Sequence, residues 1–297
     1  MVRTVQRRLA MAWMAGVGLL AGAGPAAAQG TLFIVGGGPQ TPAMVQDFVD
    51  LAGGRGKARI VVMAMASAEG RTSGEEKAQQ LRGLGATAIN VWIDRSQADQ
   101  DSVVRLLDGA TGIWFGGGLQ TRLMGAIGGS RVADAIRARL AAGAVVGGTS
   151  AGAAVMSTPM ITGDEKRRGG DRYPSDSSQI FITIDRGNVE TVPGLGLLTS
   201  VVIDQHFVRR KRHNRLLSLV LEGPVRLGAG IDESTALVIG PDGRWRVSGV
   251  STVVVYDARN ATPGPAGAPL GGSGIITHVL PPGSRFDPAT GKATLPQ

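Results

Sequence analysis

The sequence predicts an α/β fold: a doubly wound, mostly parallel sheet with C-terminal antiparallel strands. Three observations carry this reading. Apolar runs of strand length recur along the first two thirds of the chain. They are near-continuously apolar rather than alternating, the pattern of parallel strands buried on both faces. Helical patterns separate them, and after Gly223 the texture changes to short strands.

Taken in order, strands are expected at Thr31–Val35, Ala58–Ala66, Ala88–Ile93, Gly112–Phe115, Ala144–Val146 and Val201–Ile203. Helices are expected at Thr41–Leu51, Gly74–Leu84, Ser102–Leu107 and Arg131–Ala141. Ser73, with Glu76 three residues on, reads as a capping box for the second helix. Strand–helix alternation implies a doubly wound sheet. Late strands are expected at Arg226–Ile231, Ala236–Ile239, Arg244–Val247 and Val253–Tyr256. The turn Pro241-Asp242-Gly243 marks an antiparallel extension of the same sheet. Residues Ala261–Ser273, rich in Pro, Gly and Ala, read as a loop. No charged or polar linker divides residues 29–297, so one domain is expected there.

Composition narrows the function classes. With 297 residues, 43% hydrophobic and 18% charged, the chain is no disordered tail, collagen-like fibre or disulfide miniprotein. There is no cysteine, which excludes disulfides, thiolate metal sites and a Cys nucleophile. Residues 1–28 read as an export signal: Arg3, Arg7 and Arg8, an apolar run from Leu9 to Leu20, and Ala26-Ala27-Ala28 before Gln29. Taking away its three arginines lowers the formal charge from +8 to +5. The expected product is an exported protein, periplasmic or secreted, with no stable membrane span.

Gly148-Thr149-Ser150-Ala151-Gly152 matches the G-x-S-x-G nucleophile elbow, entered by a strand and left by a run of small residues. A sharp turn there needs glycine on both sides, because a Cβ would strike the neighbouring strand or helix. The Ala151 N–H would then stand where an oxyanion forms. The plainer alternative is that Ser150 only caps a helix. Gly116-Gly117-Gly118 follows a strand directly and reads either as a second oxyanion donor or as a flexible turn. Gly36-Gly37-Gly38 lacks the full dinucleotide spacing. Of His206, His213 and His278, only His206 lies just past an apolar strand, where open α/β sheets keep their sites. It is the candidate general base, although a lone histidine is more often structural. The run Arg209-Arg210-Lys211-Arg212-His213-Asn214-Arg215 opens a helix with cations that oppose the macrodipole. It suits a bound substrate carboxylate, or else a solvated face. One short patch without interleaved aromatics argues against nucleic acid, and three scattered histidines give no metal-ligand spacing.

Four segments together, Trp114–Gln120, Gly147–Ala153, Asp204–Phe207 and Gly230–Ala236, resemble the cyanophycinases, within a serine exopeptidase family that also includes aspartyl dipeptidases. The resemblance spans about Thr31 to Ile239. It implies a glutamine-amidotransferase-like fold and hydrolysis of cyanophycin, poly-aspartate with arginine on each side chain, to β-Asp-Arg dipeptides. It implies Ser150 as nucleophile, His206 as base and Glu165, next to Asp164, as the acid. Ala151, Gly117 and Gly118 would form the oxyanion site. Gln120, Asp204, Gln205, Arg210, Arg212 and Arg215 would line the substrate pocket, whereas Arg209 and Lys211 are additional to the pattern. Asp232 and Glu233 also match, and are expected as buried structural carboxylates. No metal or cofactor is implied. The expected partner is cyanophycin or an Asp-containing peptide, and a homodimer is compatible with the sequence. Two alternatives remain, an aspartyl or isoaspartyl dipeptidase and a non-catalytic ligand-binding module on the same fold.

Overall fold

A computed structural model describes residues 30–165 and 182–297. The expected export signal at 1–28 lies outside the described residues. Among those described, no helix is long and apolar enough to cross a membrane.

The first half is an alternation of strands and helices. In chain order these are β1 (Thr31–Val35), α1 (Pro42–Leu51), β2 (Arg59–Met63), α2 (Gly70–Gly83), β3 (Thr87–Asn90), α3 (Asp101–Val104), β4 (Gly112–Phe115), α4 (Gln120–Ile127), α5 (Arg131–Ala141), β5 (Val145–Thr149) and α6 (Ala151–Ala154). Next come β6 (Met160–Glu165), β7 (Val189–Val192), β8 (Val202–Gln205), α7 (His213–Glu222), β9 (Leu227–Ile231) and β10 (Thr235–Ile239). The chain ends with β11 (Trp245–Gly249), β12 (Val253–Asp257), β13 (Thr262–Pro263), β14 (Gly272–Ser273), β15 (Ile276–Leu280), β16 (Arg285–Asp287) and β17 (Lys292–Thr294).

The central sheet has the order β17-β16-β11-β10-β1-β5-β4-β2-β3. From β1 to β3 every pairing is parallel, and from β1 outward through β10 every pairing is antiparallel. Successive residues of each inner strand enter opposite cores, which is why these strands are apolar throughout. Phe33 and Val35 pack with Phe48, Ala78 and Leu81 of α1 and α2. Leu32 and Ile34 face the layer of α4, α5 and α6, among Leu123, Ile136 and Ala153. Helix starts follow local chemistry. Thr41 caps α1, accepting from the Met44 N–H at 3.2 Å with Pro42 at the first position, and Ser130 caps α5 in the same way.

The structure departs from the sequence expectation at several elements. The strand at Val202–Gln205 does not join the central sheet. It pairs in parallel with β9 in a second sheet, β15-β12-β9-β8, whose Ile203 and Ile231 meet the α6 layer while Val202 and Val254 meet α7. Apolar patterning identifies a strand but does not select its neighbour. Helix α2 begins at Gly70, and Ser73 donates to the Glu69 carbonyl from inside it instead of capping it. Helix α4 and the β6–β7 pair were not anticipated, and the Ala261–Ser273 loop contains the short β13–β14 ladder.

Candidate active site

Ser150 sits at the junction of β5 and α6 with φ 54° and ψ −110°, a conformation that is unfavourable for a non-glycine residue. Its backbone is held there by continuing the β1 ladder, the Ser150 N–H donating to the Val35 carbonyl at 3.0 Å. The flanking glycines are needed for space. A Cβ on Gly148 would lie 2.6 Å from the Gly152 carbonyl oxygen, and one on Gly152 would overlap the Phe115 carbonyl. The elbow expected from the sequence is therefore present, and it is formed by strand–helix contact. Ser150 is indeed the cap residue of α6 by position, but its side chain makes no capping bond.

His206 follows β8 in the second sheet, and a 2.6 Å bond from its N–H to the Gly36 carbonyl ties it to the first. Its φ is 50°. Nε2 stands 2.8 Å from Ser150 Oγ, and Nδ1 stands 2.6 Å from Glu233 Oε1. Both ring nitrogens are thereby engaged, which corrects the expectation that Glu165 is the orienting acid. Glu165 is a buried residue at the end of β6, paired across to Val189, and Asp164 beside it is exposed. The expectation that Glu233 is a buried structural carboxylate is corrected too, since its side chain is 30% exposed and faces the imidazole. Asp232 does have the structural role: it accepts from the Arg209 N–H at 2.8 Å and the Ser251 hydroxyl at 2.7 Å. Burial pushes Asp232 up, but these donors outweigh it and hold the carboxyl below its usual range.

Three forces set the imidazole's charge. Burial lowers its pKa, the bond it donates to Glu233 raises it, and the nearby Arg210 and Arg212 cations lower it. The net shift is downward from 6.5, so the ring is neutral at pH 7 and able to take a proton.

The glycine-rich loop after β4 reaches Ser150 through one residue. A Cβ on Gly117 would stand 3.6 Å from Ser150 Cβ, whereas Gly118 packs on the Ala66–Ser67 backbone. Ala151 opens α6, in the first turn, where N–H groups have no intrahelical acceptor. Ala151 and Gly117 are thus the residues that adjoin Ser150, and Gly118 lies one step away.

The expected substrate-pocket residues divide into two groups. Arg210 is exposed, and Arg212 is partly exposed on the turn before α7. Arg212 donates to the Gln205 carbonyl at 2.7 Å and to Gln205 Oε1 at 2.9 Å. Burial and the neighbouring Arg215 bring Arg212 down to about 10, still charged at neutral pH. Asp204 and Arg215 lie under the surface and bind each other, Nε to Oδ2 at 2.7 Å and Nη2 to Oδ1. Gln120 is also buried, its amide clamping the Ile161 and Thr162 carbonyls of β6 at 2.8 and 2.6 Å. All three side chains are buried and bonded within the protein. His213 bonds the Tyr256 hydroxyl at 2.8 Å and His278 sits in β15, both away from Ser150 in the pairing scheme.

A hydroxyl, a neutral imidazole and a carboxylate in line can carry nucleophilic acyl transfer. Among the described residues, no group of three His, Cys, Asp or Glu could hold a metal ion.

Comparison with known proteins gives the family. The model of peptidase family S51 matches residues 32–244. A cyanophycinase of Nostoc sp. is 34% identical over 241 residues, covering 78% of this chain and 76% of that protein. A cyanophycinase of Geminocystis herdmanii is 33% identical over 255 residues, covering 83% and 88%. The crystal structure of a peptidase from an acI-B1 Actinobacterium superposes with a TM-score of 0.60 at 22% identity, covering 85% of this chain and 98% of that one, a likeness of fold. The chain therefore belongs to peptidase family S51 and is a serine-type peptidase.

Proposed function

We propose that this peptidase is an exopeptidase of cyanophycin, releasing β-Asp-Arg dipeptides, with Ser150 as nucleophile, His206 as base and Glu233 as the acid that orients it. The observation that carries the reading is the 2.8 Å approach of His206 Nε2 to Ser150 Oγ with Glu233 on the opposite ring nitrogen. The substrate is supported by the relatives named cyanophycinase and by the cationic turn beside the imidazole.

The steps follow from these groups. Ser150 Oγ attacks the scissile carbonyl while His206 Nε2 takes its proton. Glu233 holds the Nδ1 tautomer and balances the imidazolium. The Ala151 and Gly117 amides hold the tetrahedral oxyanion, each contributing about 3 kcal/mol of transition-state stabilisation. His206 then gives the proton to the leaving amine, and a water activated by the same ring hydrolyses the acyl-serine. Arg212 and Arg210 receive carboxylates at the end of the polymer, which favours cleavage from an end. Gln205 fixes the Arg212 fork, and the Asp204–Arg215 pair braces the turn beneath it. Gln120 holds β6 in place.

The test is incubation with cyanophycin granules and assay of released dipeptide. Release by the wild type and none by Ser150→Ala supports the proposal. Intact granules with cleavage of Asp-Leu or isoAsp-Leu would make the protein a dipeptidase instead. Export through the first 28 residues belongs to the same proposal, and an N-terminus at Gln29 on protein recovered outside the cytoplasm is the expected result.

A further inference from the structure

Trp114 alternates with Phe115 on β4, so its indole enters the α1/α2 side of the sheet while Phe115 enters the α6 side. Above that indole lies Lys77 of α2, its Nζ 4.3 Å from the ring centroid. A cavity of about 460 Å³ opens here, bounded by Gln40, Lys77, Gln80, Trp114, Gly117 and Thr149. Its lining thus includes Thr149, the residue preceding Ser150, and Gly117, where an added Cβ would stand 3.6 Å from Ser150 Cβ. Gln40 donates to the Gly38 carbonyl at 2.7 Å and to Thr149 Oγ1 at 3.4 Å.

Among the described residues, the Lys77 ammonium has no ionic partner. Its bonds go to neutral amide oxygens, Gln40 Oε1 at 3.3 Å and Gln80 Oε1 at 2.9 Å. Among the described residues no carboxylate lies within 4.0 Å of it, although Glu76 lines the same cavity. Burial alone brings it down to about 8, so it remains largely charged at neutral pH. A desolvated cation stacked on an aromatic face and served by dipoles is incompletely balanced, and a carboxylate completes it. A ligand guanidinium or amine would be repelled.

We infer that the cavity between Lys77, Gln40 and Trp114 is a second subsite of the peptidase, which takes a carboxylate of the substrate. It approaches Ser150 from the α1/α2 face, whereas Arg212 approaches from the side of α7. A substrate lying across the hydroxyl would then be held by a carboxylate on each side. The inference rests on Ser150 being the reacting group. It also fits the proposed polymer, in which each arginine joined through its amine keeps a free carboxylate.

The experiment is calorimetric titration of the Ser150→Ala protein with an Asp-Arg oligomer, and with the same oligomer as its carboxamide. Lys77→Met, which retains an apolar stem over Trp114, is expected to weaken the acid form at least tenfold and leave the carboxamide within twofold. Lys77→Arg is expected to retain most of the affinity. In the active protein, Lys77→Met is expected to raise KM and leave kcat within about twofold. Unchanged affinity for the acid form, or equal weakening of both forms, would overturn the inference. Hydrolysis with KM unchanged in Lys77→Met refutes this subsite alone. Lys77-dependent binding without any hydrolysis by wild type refutes the proposed activity alone and supports the subsite. Binding of neither form refutes both.

Discussion

At the scale of single residues, the protonation of one imidazole governs the account. His206 is neutral above its lowered pKa and protonated below it, so activity is retained above that point and lost as pH falls through it. The acid limb of kcat/KM is therefore expected to have its midpoint below 6.5. Arg210→Gln removes a cation that lowers this pKa, so the midpoint should move up. Glu233→Gln removes what raises it, so the midpoint should move down. Glu233→Gln should also lower kcat by about 10⁴-fold, because the imidazole loses the partner that fixes its tautomer. Glu165→Gln should lower kcat far less. Measured pH–rate profiles of the three variants check all of this. An equal loss in Glu165→Gln would restore the acid that the sequence reading favoured.

At the scale of elements, strands bring the residues together, and glycines make room for them. Gly37 follows β1 at φ 115°, and a Cβ there would overlap the His206 ring. Gly37→Ala is expected to displace the imidazole and lower kcat by at least 10²-fold, with the circular dichroism spectrum little changed. Unaltered kinetics would show that the ring does not depend on that approach. The same scale explains what was legible in the sequence. β1 and β4 were readable to the residue because local patterns specify them, whereas β5 was located but runs three residues further, to Thr149, than its apolar stretch Ala144–Val146 indicates. Glu233 was not readable as the acid, since it reaches His206 across 27 residues through a β8–β9 pairing that apolar patterning does not select. Its one available signal was position. Asp232 and Glu233 interrupt two fully buried strands, β9 and β10, at a polar turn. The burial of Arg215 was hidden for a similar reason, because a charge run along a sequence does not say which member turns inward.

At the scale of the whole molecule, the two sheets meet around the site, and the buried Asp204–Arg215 pair stands where β8 joins α7. Asp204 has a fully buried side chain, and Arg215 is only 2% exposed. Removing Arg215 leaves the buried Asp204 carboxylate with only the Gln205 N–H at 2.7 Å and the Arg212 cation at 4.0 Å, so Arg215→Met is expected to cost about 3 kcal/mol in urea unfolding. Asp204→Leu combined with Arg215→Met should recover most of that loss. Failure of the double variant to recover would mean that the pair does more than balance its own charges. In the proposed reading, Lys77 and Arg212 belong to different layers of this architecture and would hold an acidic chain across its reacting centre.

The most direct measurement of the central claim is the rate at which a fluorophosphonate labels the protein, with the modified residue located by peptide mass spectrometry. The account predicts labelling of Ser150, with the rate reduced at least 10³-fold in His206→Ala. Labelling elsewhere, or an undiminished rate in His206→Ala, would contradict it.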